Sequence, residues 1–419
     1  MDLVEARKGN VDQGSRTTRG GPEAGRRISN THVHLPPNFS AFDSPEQAVR
    51  LGAEEGLVAL GASNYYDFSI YERFAAAAAT AGITPLFGTE IISLDRDLRR
   101  AETLVNDPTN AGRTYLCGKA LSRVSSPPDS AARRMMAMRR ASDDRLRRMT
   151  ALVGAQFAEA GLDGGLTYDQ IVADVANRCQ VPIDTVSLQE RHIARAYQER
   201  LFDEVVPDAR AEFLARLFGR PSSVAQDAVR AQEVIRSNLM KAGKPAFVAE
   251  AEVSFEEAYT LVLELGGIPC YPVLADGASP ICAFEYPPAR LVDQLLARNI
   301  FCAELIPVRN QGKVVDLYVA ALRQAGIIVV GGTEHNTQRL IPLTPAAANR
   351  QPLSDYAQAI FWEGACVLAA HQQLGASGEP GYVDEGGRLN PAFDDGEARI
   401  RRFRDLGMSM ITARSGRTS

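Results

Sequence analysis

The chain has 419 residues with 45% hydrophobic content, enough for one large core or two domains. A formal net charge of −5 gives no overall attraction to nucleic acid, and no apolar stretch reaches the roughly 18 residues that span a bilayer. Six cysteines are scattered without CxxC spacing, which suits a reducing cytoplasm and excludes a zinc ribbon.

In chain order, residues 1–28 are rich in Gly, Arg and Thr and lack an apolar h-region, so they read as a disordered tail rather than a signal peptide. SNTHVHL follows as a strand. Strand residues alternate faces, so His32 and His34 point the same way, and two converging imidazoles are a natural start for a metal site. SPEQAVRLGAEEG is a helix with a Ser cap, Pro at its first position and a closing Gly. LVALGAS is a strand, SIYERFAAAAATAG a helix and ITPLFGTEII a strand, a βαβαβ order that calls for parallel strands.

Residues 126–249 change character. SSPPDS breaks the chain, then charged runs with apolar spacing near 3.6 predict an all-helical insertion. Its arginines 133, 134, 139, 140, 145, 147 and 148 form a basic cluster, read as a solvated helix face rather than a nucleic-acid patch because Asp143 and Asp144 interleave with it. The strand–helix rhythm resumes after 250, through IPCYPVL, IFCAELIPVRN and IIVVGGTEHN as strands. A helical extension fills residues 346–419, and its His371 reads as core or surface.

Four segments carry a family resemblance. NTHVHLPPNFSAFDSPEQAVRLGAEEGLVALGASNYYDF resembles the opening of the PHP superfamily (polymerase and histidinol phosphatase domains). GITPLFGTE resembles its next strand with a metal-bridging Glu, GGIPCYP its GGIP run ending in His-Pro, and VVGGTEHNT its closing Gly-Ser-Asp-x-His. The resemblance implies a distorted (β/α)7 barrel formed by residues 29–125 and 250–345, interrupted by the helical insertion as a lid over the mouth. It also implies metal ligands His32, His34, Glu90 and, in place of the family's Asp, Glu334.

Other positions depart from the family pattern. Ser63-Asn64-Tyr65 stand for Thr-Asp-His, Tyr115 or Cys117 for a later His, Tyr271 for the His of His-Pro, and Asn336 for the final His. Tyr and Asn are weak ligands for divalent ions. The expectation is one retained centre holding one divalent ion (Zn, Mn or Fe) and two eroded ones.

Lys119 and Arg309, near predicted strand ends, are candidates to replace the missing positive charge, and His335 is the candidate general acid or base. His335 adjoins Glu334 and can equally face away. Asn64, Tyr65, Tyr271, Asn336 and Arg191 are candidate substrate contacts, Arg191 because RHIARAYQERLF resembles an insertion segment of PHP nucleotide phosphatases. Glu304 reads as a buried hydrogen-bonded carboxylate.

The leading expectation is a cytoplasmic metal-dependent hydrolase acting on a small anionic metabolite, a phosphoester or sugar derivative. The alternatives are a metal-dependent lyase or isomerase on a sugar acid, and a decayed PHP domain serving as a binding module. No membrane or nucleic-acid partner is expected. Self-association is left open.

Overall fold

The computed structural model describes residues 27–222, 226–251 and 253–415. Nearly all of the expected N-terminal tail lies outside these residues.

Seven strands form one sheet in sequential order: β1 (Ile28–Val33), β2 (Leu57–Asn64), β3 (Thr84–Leu94), β4 (Arg113–Lys119), β5 (Ile268–Val273), β6 (Cys302–Leu305) and β7 (Ile328–Gly331). Pairs β1–β2, β2–β3, β5–β6 and β6–β7 are parallel. β4 runs antiparallel to both β3 and β5, so the parallel order expected of the first strands stops at β3. A short connection explains the reversal: β3 reaches β4 through a five-residue helical turn, Arg96–Arg100, rather than a full crossover helix.

The sheet curls until its edges meet. Val33 and Glu334 form a parallel bridge, His34 N donates to Glu334 O at 2.8 Å, and Glu334 N donates to His32 O at 2.9 Å. Gly332 makes this approach possible, because a Cβ there would stand 2.4 Å from His32 Cβ. The result is a nearly closed, distorted seven-stranded α/β barrel.

Local sequence sets the helices around it. Ser44 caps Pro45–Glu54 by accepting from Gln47 N, and Ser254 and Glu257 form a capping box at the start of Phe255–Glu264.

The insertion is helical: Asp129–Glu159, Tyr168–Cys179, Glu190–Glu204, Pro207–Phe218 and Ala228–Ile235, the last running into a π-helical turn, Arg236–Met240. It has its own apolar core, in which Met149, Val153, Phe157, Ile193, Tyr197 and Leu214 are fully buried. The basic cluster is largely paired one residue at a time. Arg134 meets Glu264, Arg139 meets Asp67, Arg145 meets Glu190, and Arg147 meets Asp169.

Helix Asp355–Ala376 closes the opposite end of the barrel. Its Cys366–Ala370 segment packs in one buried cluster with Leu86, Cys117, Cys270, Cys302 and Val330. No helix among the described residues is long and apolar enough to cross a membrane.

Candidate metal centre

At the end of β1, His32 and His34 turn their rings toward each other, with Nε2 to Nε2 at 3.4 Å. Glu90, from β3, brings Oε2 to 3.5 Å from His32 Nε2 and 3.3 Å from His34 Nε2. All three side chains are buried. Burial alone would raise the Glu90 carboxyl, but its bonds to His32 and His34 overcome that and hold it well below the ordinary carboxylate range.

This triangle fits a cation. Three donors bound about 2.0–2.1 Å from one ion at tetrahedral angles lie about 3.3–3.4 Å apart, close to the spacing found here. The ring orientation agrees. His32 Nδ1 lies 2.7 Å from Glu304 Oε2 and donates to it. Burial opposes a charge on the ring, but the Glu304 charge outweighs it and raises His32 well above its ordinary value. Nε2 therefore carries a proton toward Glu90 that a bound cation would displace. His34 Nδ1 is buried without a hydrogen-bond partner. The ring is oriented instead by Tyr65, which stacks on it at 5.4 Å and 7°, and whose hydroxyl donates to Glu90 Oε1 at 2.5 Å. Burial and then the Glu90 charge push the Tyr65 phenol well up, so it stays a neutral donor.

A second group of donor atoms, from His32, Cys117 and Glu304, lies just beneath. A cation is already there. Lys119 Nζ is 2.7 Å from Glu304 Oε1, 3.0 Å from Thr31 O, 3.2 Å from Ser63 Oγ and 3.4 Å from His32 Nδ1. Burial raises a carboxyl, yet Lys119 and His32 outweigh it and bring Glu304 down to about 2. Lys119 is therefore an internal counter-charge and does not reach the cavity, contrary to the role of substrate cation expected for it.

The other expected residues divide in two. Tyr65, Arg191, Arg309, Glu334 and Asn336 line a cavity of about 370 Å³ together with His32 and Glu90. Glu334 stays out of the donor triangle, because its carboxylate is bonded to Arg309 and accepts from Asn336 Nδ2 at 2.7 Å. Arg309 is thus spent on Glu334.

Three residues point elsewhere. Asn64 pins the loop after β1, exchanging two 2.8 Å bonds with the Leu35 backbone. Tyr271 is buried in the wall, donating to Glu285 at 2.9 Å. His335 is turned away, its Nδ1 2.7 Å from Thr333 Oγ1, its Nε2 2.9 Å from Ile341 O and its ring against Phe42. Burial pulls its pKa down, which agrees with a neutral structural ring.

The insertion lines the same cavity through Leu188, Gln189, Glu190, Arg191, Arg236 and Lys241. Of these, the sequence suggested only Arg191. Arg236 sits in VIRSNLMKAG, where nothing distinguishes it from the other helix arginines, and its one mark is the π-helical turn it opens.

Fold and site together define a barrel with a buried two-histidine, one-carboxylate donor set at its mouth, beside a cavity that the helical insertion also lines. Two solved structures are similar. One is a protein provisionally named a metal-dependent phosphoesterase, from Bifidobacterium adolescentis, with TM-score 0.52 and 16% identity over 81% of this chain and 96% of that one. The other is an amidohydrolase from Chromobacterium violaceum with bound sulfate and no metal, with TM-score 0.50 and 17% identity over 80% of this chain and 96% of that one. No protein-family model and no curated protein matches the chain. At these identities the likeness establishes the fold.

Proposed function

We propose that the chain is a PHP-type metal-dependent hydrolase that holds one divalent ion on His32, His34 and Glu90 and acts on a small anionic metabolite, a phosphoester in the first instance. The observation that carries this is the donor triangle, with edges of 3.3 to 3.5 Å, in the wall of a cavity sized for a small molecule. Two imidazoles and a carboxylate suit Zn, Mn or Fe, and leave coordination positions open. An ion held there would supply Lewis acidity toward water and a phosphoryl or carbonyl oxygen. The phosphoesterase and amidohydrolase names of the two similar structures agree with hydrolysis as the reaction class.

The protein's own residues do the rest. Glu304, held in turn by Lys119, orients the His32 ring, Tyr65 orients Glu90 and His34, and the insertion supplies part of the cavity wall. Because Lys119 fills the cation position beneath His32, the purified protein is expected to carry about one ion per chain. Elemental analysis after loading with Zn, Mn or Fe, followed by a screen of phosphomonoesters, tests the reading. A content near zero overturns it, and a content near two or three overturns its single centre.

A further inference from the structure

Six cationic side chains line the cavity, Arg113, Arg145, Arg191, Arg236, Lys241 and Arg309, against four carboxylates, Glu90, Glu190, Glu250 and Glu334. Four of the cations are matched. Arg113 meets Glu250 at 2.5 Å, Arg145 and Lys241 meet Glu190 at 2.6 and 2.7 Å, and Arg309 meets Glu334. The side chains of Arg191 and Arg236 have no ion pair or hydrogen bond among the described residues.

These two guanidiniums come from different helices. Arg191 is in the first turn of Glu190–Glu204, and Arg236 opens the π-helical turn after Ala228–Ile235. Both line the main cavity and also a narrow crevice beside it, so they stand together at one edge. Burial first, then the charge of Arg236, lowers Arg191 to about 10. Glu233 in the crevice and Glu334 in the cavity offset part of this repulsion without pairing with either guanidinium, and an anion held between the two would offset more.

We propose that Arg191 and Arg236 form a clamp for a phosphate group of the substrate, in the same cavity as the metal centre but off its three donors. Charge selects the ligand class. Two guanidiniums match a phosphate monoester of about −1.5 to −2 at pH 7, and a single carboxylate would leave one of them unmatched. The word substrate rests on the hydrolase reading above, but anion capture does not, and the two are separable by experiment.

The test is calorimetric titration of inorganic phosphate into the full chain after the metal has been stripped by chelation. Phosphate is expected to bind the metal-free protein. Arg236→Gln and Arg191→Gln should each weaken it about tenfold or more, the loss of one charged hydrogen-bonding partner. Arg236 is the safer variant, since its guanidinium holds no contact that folding needs, and circular dichroism checks the fold of each. Unchanged phosphate affinity in both folded variants overturns the clamp. Phosphate binding that appears only in metal-loaded protein also overturns it, while leaving the hydrolase reading intact. Phosphate retained by a chain that takes up no metal upholds the clamp and removes the hydrolase reading instead.

Discussion

The two ends of the barrel use histidine in opposite ways. At the mouth, the Nε2 atoms of His32 and His34 face each other at 3.4 Å and Glu90 at 3.5 and 3.3 Å, longer than ordinary hydrogen bonds. At the closed end, His371 is spent on the backbone. Its Nε2 lies 3.2 Å from Gly266 O, and its Nδ1 accepts from Tyr382 N at 2.9 Å. Burial is alike at both ends, so burial does not make a site. What differs is what the ring nitrogens face, short backbone bonds at the closed end and loose contacts to a second imidazole and a carboxylate at the mouth. Among the five histidines, only His32 and His34 turn ring nitrogens toward each other and a carboxylate at the spacing of metal ligands.

The comparison breaks most sharply if the mouth is emptied of donors. His32→Ala with His34→Ala should take the metal content from about one ion per chain to near none, since Glu90 alone is too small a ligand set. His371→Gln should leave that content unchanged. Elemental analysis of both proteins decides it, and metal retained by the double variant would move the centre elsewhere.

Between the two ends lies the buried Glu304–Lys119 pair, which serves the mouth without lining it. Glu304→Gln leaves the ammonium without its counter-charge, an expected cost of about 3–5 kcal/mol in urea unfolding. It should also weaken metal binding about 10- to 100-fold, because His32 loses the carboxylate that orients its ring. Adding Lys119→Met to Glu304→Gln should recover part of the stability and none of the metal affinity. If the double variant regains metal affinity, the pair acts through charge alone and not through His32.

Much of this division was legible from spacing. A strand period of two placed His32 and His34 on one face, and the recurrence of acids after apolar runs singled out Glu90 and Glu334. Strand–helix alternation on both sides of a helical block gave the barrel and its interruption. The antiparallel β4 was not legible, because RTYLCGK reads as a strand in either direction. Nor was the fate of His335 and Lys119. A histidine four residues beyond a closing strand, or a lysine at a strand end, is equally able to face in or out. The choice here follows from positive φ at Glu334 and His335 and from a carboxylate on β6. Arg236 needed the three-dimensional charge balance, which no local pattern contains.

The closed end gives a smaller, pH-dependent effect. Burial lowers His371 to about 4, from an ordinary value near 6.5. A depressed histidine adds stability that is fully present above the unfolded pKa and is lost as pH falls toward the folded one. The window is therefore pH 6.5 down to about 4, and the loss across it is up to about 3 kcal/mol. His371→Gln should flatten this part of the stability profile measured by thermal or urea unfolding. A slope unchanged by the substitution would place the acid sensitivity in other groups, with His192, lowered by burial to about 3, next in line.

The smallest expected effect tests the wall behind the site. Tyr271 stands where the family resemblance implies a ligand, yet its hydroxyl donates to Glu285, which also accepts from Leu274 N and Ala275 N. Tyr271→Phe should leave metal content unchanged and cost about 1–2 kcal/mol, one buried hydrogen bond to a carboxylate. Its pH dependence has a definite sign. Burial raises Glu285 to about 7 against the pull of these three donors. A raised carboxyl holds its proton longer in the folded state, so stability falls as pH rises from about 4.5 to 7. Removing the Tyr271 donor raises Glu285 further, so the variant should lose more stability at pH 8 than at pH 5. A loss of metal accompanying Tyr271→Phe would instead make this wall part of the centre, and the contrast between closely bonded and loosely held polar groups would no longer separate site from scaffold.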